Sequence, residues 1–434
     1  MLPHLPSPLR KDAAVSHVGI CWANSLLALA LFCLLLSPCR AQDAIRPSLT
    51  GAETSIARMH APISQDPYNL KLGPVRFNFS AGLSTEYNDN INLAESGGAS
   101  DLILGASIAT QGEWKVTANN ALRITLSLGY QKYLDHPQFD NLAVSVGPQS
   151  QISYDIFVVG VMKITLHDRF SVTQDPVEQA TLSNTVSFRT FQNTAGAMAL
   201  WDWNKLILTL GYDHFSDSSL DSAFAYDNHS AESVNASAAL RVSASTVTGI
   251  DTAVNYSYYE QNFHNPSIAF SGGPFIEQKL SRYLDLRLSG GIQEIQFKSG
   301  GTNGDTSSLN GWYSNISLAH RINRFCTETL VGGHESTLAL QTNYQTIDYL
   351  RYSLSFKLLK KITTSLNVFY EHVAESPGLK SETLDQFGGG LQLGYQLTKK
   401  LSLNGGCQTV TKQSNISGSN YLQNRLFLGA QYQF

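Results

Sequence analysis

From Val75 onward the chain repeats one pattern of apolar and polar positions. Val75, Phe77, Phe79, Ala81 and Leu83 alternate with Arg76, Asn78, Ser80, Gly82 and Ser84, and Leu350, Tyr352, Leu354, Phe356 and Leu358 alternate with Arg351, Ser353, Ser355 and Lys357. The last ten residues do the same, with Leu426, Leu428, Ala430, Tyr432 and Phe434 on one phase and Arg425, Phe427, Gly429, Gln431 and Gln433 on the other. A period of two puts the phases on opposite faces of a β-strand, one suited to hydrocarbon and one mostly to water. Eighteen such runs can be counted between residues 75 and 434. Those at 267–279, which contains Pro274, and at 325–336 are the least regular, so sixteen is the alternative count.

The connections alternate in length. Asn204-Lys205, Ala244-Ser245 and Lys360-Lys361 are short, whereas 174–185, 216–229, 298–310 and 374–383 are longer and rich in Asp, Ser, Gly and Asn. Short turns at one end and long loops at the other are the mark of an up-and-down transmembrane barrel. Runs of 10–14 residues exceed the strands of a soluble sandwich and match what a tilted strand needs to cross a bilayer. Aromatic residues gather at run ends: Trp201, Trp203, Tyr283, Phe325, Tyr395, Tyr432 and Phe434 near short turns, and Tyr87, Tyr130, Tyr212, Tyr258, Tyr370 and Tyr421 near long loops. Two belts of this kind fit the two membrane–water boundaries. The expected fold is therefore all-β, a transmembrane up-and-down antiparallel β-barrel of 18 strands over 75–434, with outer-membrane lipid around it. An even count puts its first and last strands together on the short-turn, periplasmic side.

Composition agrees. Charged residues are only 15% of the chain, Gly and Tyr are plentiful, and the net charge of −4 gives no sign of a nucleic-acid partner. Near the start, Arg10 and Lys11 precede the apolar run Ser25–Leu36 and then Ser37-Pro38-Cys39-Arg40-Ala41, which reads as a secretory signal over 1–41. An acylated Cys39 or an uncleaved anchor are the alternatives. Residues 42–74, spaced by Pro47, Pro62, Pro67 and Pro74, read as a periplasmic leader or linker. Past the signal only Cys326 and Cys407 remain, with no disulfide framework and no metal spacing.

Two stretches resemble a known group. Leu72–Phe77 through Tyr87-Asn88-Asp89-Asn90-Ile91 and on to Ser100-Asp101-Leu102-Ile103 is similar to the β-barrel porin 2 group of bacterial outer-membrane proteins. Members carry a Tyr-Asp/Asn-x-Asn-hydrophobic element leading into a Ser-Asp-hydrophobic second strand. The resemblance covers about thirty residues and implies a bacterial outer-membrane barrel, in some relatives associated with exopolysaccharide export. The terminal aromatic pair Tyr432 and Phe434 resembles the signal read by the barrel assembly machinery.

With the apolar phase in lipid, the other phase lines a lumen. Its basic residues are Arg76, Arg123, Lys163, Arg169, Arg241, Arg287, Arg321, Arg351, Lys357 and Arg425, and its acidic ones Glu86, Asp155, Asp213, Asp251 and Glu371. That count gives a basic surplus, which would favour anionic solutes. The competing expectation is that these cations pair with wall carboxylates. Barrels of this strand number are wide enough for water, and no long internal loop is apparent to narrow the channel. No catalytic motif occurs, Gly388-Gly389-Gly390 sits within a strand, and "GHES" at Gly333–Ser336 joins His and Ser only in sequence. No cofactor, metal or enzyme activity is expected. The leading function is a porin-like channel for passive diffusion of small or oligomeric solutes, with anionic solutes and an exopolysaccharide conduit as special cases. The alternative is a non-conducting structural or adhesive barrel.

Overall fold

The structure is a computed structural model that describes residues 68–140, 150–158, 160–173 and 175–434. The expected signal and the leader as far as residue 67 lie outside the described residues. Among the described residues nineteen strands form one sheet. They are β1 (Leu70–Leu72), β2 (Val75–Asn88), β3 (Asp101–Thr117), β4 (Asn120–Tyr133), β5 (Gln151–Val158), β6 (Met162–Thr173), β7 (Thr190–Asp202), β8 (Leu206–Ser219), β9 (His229–Ser243), β10 (Thr246–Tyr259), β11 (Ser267–Ser281), β12 (Leu284–Phe297), β13 (Leu309–Asn323), β14 (Cys326–Leu338), β15 (Tyr344–Leu359), β16 (Ile362–Glu375), β17 (Thr383–Gln396), β18 (Leu401–Ser414) and β19 (Tyr421–Gln433).

Every neighbour from β2 to β19 is antiparallel to the next, and β19 pairs with β2 from Arg425↔Asn88 to Gln433↔Ser80. The sheet is thus an 18-strand barrel closed on itself, which leaves no unpaired edge to face lipid. The extra strand, β1, falls inside the stretch expected to be an unpatterned leader. It hairpins through Gly73, at φ 58°, onto the first three residues of β2. Asn69 extends the contact, its Oδ1 accepting from Phe79 N and its Nδ2 donating to Phe79 O. This covers the part of β2 that β19 does not reach, and three residues are too few to show periodicity in sequence.

Closure turns one phase of each strand outward. Leu83, Ile108, Ile250, Ile292 and Leu428 lie in that phase and are 57–68% exposed. Leaving one such side chain in water costs ~1.5–3 kcal/mol, so a continuous belt of them requires an apolar solvent. Exposed aromatic residues border the belt, Tyr283, Phe325, Tyr395 and Tyr432 toward the short turns and Tyr87, Tyr130, Tyr212 and Tyr370 toward the long loops. Tyr421 departs from the expected girdle. It belongs to the inward phase of β19, is 3% exposed, and its hydroxyl accepts from Gln386 Nε2.

Candidate functional site

The inward wall is built by the polar phase, and the ten basic residues read from the sequence fall on it by register. Most of them face a carboxylate. Asp155 sits between Arg123, at 2.6 Å, and Lys163, at 3.1 Å, and also accepts from Thr165 Oγ1. Arg287 meets Asp251 at 3.4 Å and Glu277, and its guanidinium lies over the Phe275 ring. Arg351 bonds Glu371 at 2.8 Å and covers Tyr349; Arg241 bonds Asp202. Arg425 makes two bonds to Asp175, at 2.5 and 2.8 Å, with Glu86 at 3.8 Å. Glu113 lies in register between Arg76 and Arg123. Arg169 and Lys357 also have partners, and Arg321 is exposed.

The basic surplus counted from sequence is therefore largely cancelled. Asp175 and Asp202 come from a loop and a strand end, and Glu113 and Glu277 from the ends of runs, where alternation is hardest to phase. Asp213 of the wall bonds His167 at 2.7 Å.

The long-loop half contradicts the expectation of an unobstructed channel. Residues 175–189, between β6 and β7, cross the lumen. Ala180 packs on Ile347 of β15, Val373 of β16 and Leu384 of β17, halfway round the barrel from β6. Val177 packs into a second cluster with Leu93, Val410, Tyr421 and Phe369. Ser183 Oγ meets Lys412 Nζ at 3.1 Å, and Asn184 Nδ2 donates to Gly418 O. Burial by itself would raise the Asp175 carboxyl, but the Arg425 guanidinium outweighs it and holds the group below the usual carboxylate range. Asp175 and Arg425 thus latch the crossing loop to β19.

A polar rivet ties four further loops. Asp305 accepts through Oδ2 from Asn343 N and Ser376 Oγ, through Oδ1 from Ser307 N, and through its carbonyl from Asn265 Nδ2. All its carboxylate contacts are donors, so it reads as a structural pin. Tyr226 Oη, in the 220–228 loop, accepts from Gln341 Nε2 of the 339–343 loop.

The segment that carried the family resemblance has a visible task. Asp89 accepts from Asn424 N and Nδ2, at 2.6 and 2.7 Å, while Asn90 Nδ2 donates to Leu422 O and Gln423 Nε2 donates to Asn90 O. These bonds sew the first barrel strand to the last above their ladder. Asp101 accepts from Leu134 N, Asp135 N and His136 Nδ1, fixing the next loop.

No family profile matches the chain, and no curated protein matches it. Solved structures do. OccK2 (OpdF) of Pseudomonas aeruginosa is 12% identical, covering 84% of this chain and 99% of that one with a TM-score of 0.49. A BenF-like porin from Pseudomonas fluorescens Pf-5 is 10% identical over 84% and 100%, TM-score 0.49. The outer membrane protein OpdK of Pseudomonas aeruginosa is 10% identical over 82% and 99%, TM-score 0.47.

The remaining sequence candidates are dispersed. His334 of the "GHES" stretch points outward, its Nδ1 2.7 Å from Asp348 and its ring stacked on Trp312. Among the described residues no group of three or more His, Cys, Asp or Glu could hold a metal. Cys326 is buried and Cys407 exposed, both as free thiols. Gly388 does mark a close approach, since the Phe369 ring lies against it from β16.

Proposed function

We propose that the protein is a channel of the bacterial outer membrane through which small polar solutes diffuse passively. One observation carries the reading: the closed barrel has an aliphatic outer belt and a lumen wall of ion-paired and neutral polar side chains. Arg76, Arg123, Lys163, Arg169, Arg241, Arg287, Arg321, Arg351, Lys357 and Arg425 are its proposed pore-lining cations. With most of them compensated, the wall supports little preference for anions. The reversal potential in a KCl gradient tests this, and strong anion selectivity would restore the simple count of wall cations. Export of a polysaccharide remains a special case of the same reading.

The loop lying across the lumen favours a second reading, a structural barrel that does not conduct. Planar-bilayer recording of the folded protein separates the two, because discrete current steps are expected only from the channel. Tyr432 and Phe434 are exposed on the outer face and pack edge to face at 5.3 Å. They are the proposed signal for the assembly machinery. Removing Phe434 should lower the amount of barrel at the surface, and unchanged levels would sink that role.

A further inference from the structure

The lumen wall has two unlike sides. From β4 to β15 the inward phase carries most of the ion pairs described above. From β16 to β19, below Glu371, Lys412 and Arg425, that phase holds no Asp, Glu, Lys, Arg or His down to the short turns. Its positions are amides, hydroxyls, glycines, two aromatic rings and Val410, which the crossing loop covers.

Register arranges them as a checkerboard. Asn367 opposes Gly390, which opposes Gln408; Gln392 opposes Gly406, which opposes Phe427; Asn404 opposes Gly429. Each large side chain lies across a neighbouring glycine. A Cβ on Gly406 would come within 2.7 Å of the Phe427 ring, and one on Gly429 within 2.5 Å of Asn404 Oδ1. Glycine therefore lets Phe427 and Phe369 lie flat on the wall. The side chains of Asn367, Gln392, Asn404 and Gln408 are neither buried nor bonded to any partner among the described residues.

Unpaired amides each offer donors and an acceptor, and a flat ring offers an apolar face. A carboxylate or phosphate solute finds at the border of this side only Arg425, opposite Gln408, and Arg351, opposite Phe369, both already bonded to a carboxylate. A neutral ring that has hydroxyls at its edge and C–H bonds on its faces finds both kinds of partner. We infer that the wall formed by Asn367, Gln392, Asn404, Gln408 and Phe427 is a binding site for an uncharged saccharide, with Phe369 and the loop packed on it closing its upper end. The inference deepens the channel reading and rests on it, since the solute must reach the lumen.

The test uses the full chain folded in detergent, with the heat-modifiable gel shift of an intact barrel as the folding control. Titration calorimetry compares neutral maltotriose with equally long trigalacturonate. Maltotriose should bind the more tightly. Phe427→Ala should weaken it by about tenfold, the size of one lost ring contact, and Phe427→Tyr should restore it. Asn404→Leu combined with Gln392→Leu should also weaken it. No maltotriose binding, tighter binding of trigalacturonate, or equal affinity in folded Phe427→Ala each overturns the inference. KCl conductance of the same preparation is read separately. Current steps without saccharide binding remove only this site, whereas binding without any steps removes the channel reading.

Discussion

The two ends of this barrel are built on different principles. At the short-turn end the strands are linked by two to four residues, and the wall ends in side chains such as Arg321 and Gln431 that remain exposed. At the long-loop end the inward phase is buried, with apolar side chains set among buried amides such as Gln293, Gln386 and Gln423. Ile347, Val373 and Leu384 are at most 1% exposed because loop residues cover them. Leu93 adopts φ 50°, which costs a non-glycine residue ~1–2 kcal/mol, yet its side chain is fully buried. That end is packed like a small soluble core, and the other is a wet tube. A barrel needs only its sheet to persist in lipid, so the packing at one end is extra, and its consequence is a loop held across the lumen.

The comparison breaks most sharply at the latch. Arg425→Met leaves Asp175 without its cation, and because the pair is part-buried the loss should fall below the ~3–5 kcal/mol of a fully buried pair. The 175–189 loop should detach while the barrel persists, giving faster proteolysis within the loop and an unchanged heat-modifiable shift. Equal protease resistance in the variant would show that apolar packing alone holds the loop.

The outer belt should respond differently. Leu83→Arg places a charge on the lipid face, costing ~2–4 kcal/mol near the bilayer middle. Its effect should appear in folding into lipid vesicles under a urea titration, with no change in loop proteolysis. If loop protection falls as well, the two ends are not independent.

Asp305→Ala removes acceptors for Asn343 N, Ser307 N and Ser376 Oγ, and each buried donor left unpaired costs ~1–3 kcal/mol. Cleavage should increase in 298–308 and 376–382 and not in 175–189, since the rivet and the latch share no residue.

The smallest effect is pH dependence among the same loops. Burial, only partly opposed by His229, pushes the Asp227 carboxyl up to about 8, and burial lowers His264 to about 4. His264 Nε2 lies 3.4 Å from Asp227 Oδ1. A raised folded-state pKa contributes stability at low pH that is lost as pH rises through it, and a depressed histidine acts in the opposite sense below about 6.5. Of these two groups, only Asp227 still changes its contribution above pH 6.5. Hydrogen exchange in the 220–228 loop should therefore quicken beyond its intrinsic rate between pH 6.5 and 8.5, and Asp227→Asn should flatten the rise. A slope that survives in the variant would assign it to another group.

The sheet was legible in sequence because alternation is enforced on every strand by two solvents. The run at 246–259 matches β10 residue for residue, and the irregular run containing Pro274 is a true strand, β11. Pro274 has no amide hydrogen to donate, and the β11–β12 register skips it, resuming at Phe275↔Ser289. What sequence could not supply were contacts between segments far apart. Asp175 and Arg425 are 250 residues apart, and Ala180 meets β15–β17 only because closure brings them face to face. The polar composition of 174–185 identified a loop, although β7 begins only at Thr190 and not at 186, and Val177 and Ala180 carry no periodicity that would have placed them inside. The glycines of β17–β19 were visible as strand glycines, and only register showed which rings lie on them.

The most direct test of the central claim is single-channel conductance of the folded wild type beside Arg425→Met. The account predicts current steps in both, larger in the variant because the loop no longer crosses the lumen. Silence from both folded proteins would contradict it and leave a barrel that closes without conducting.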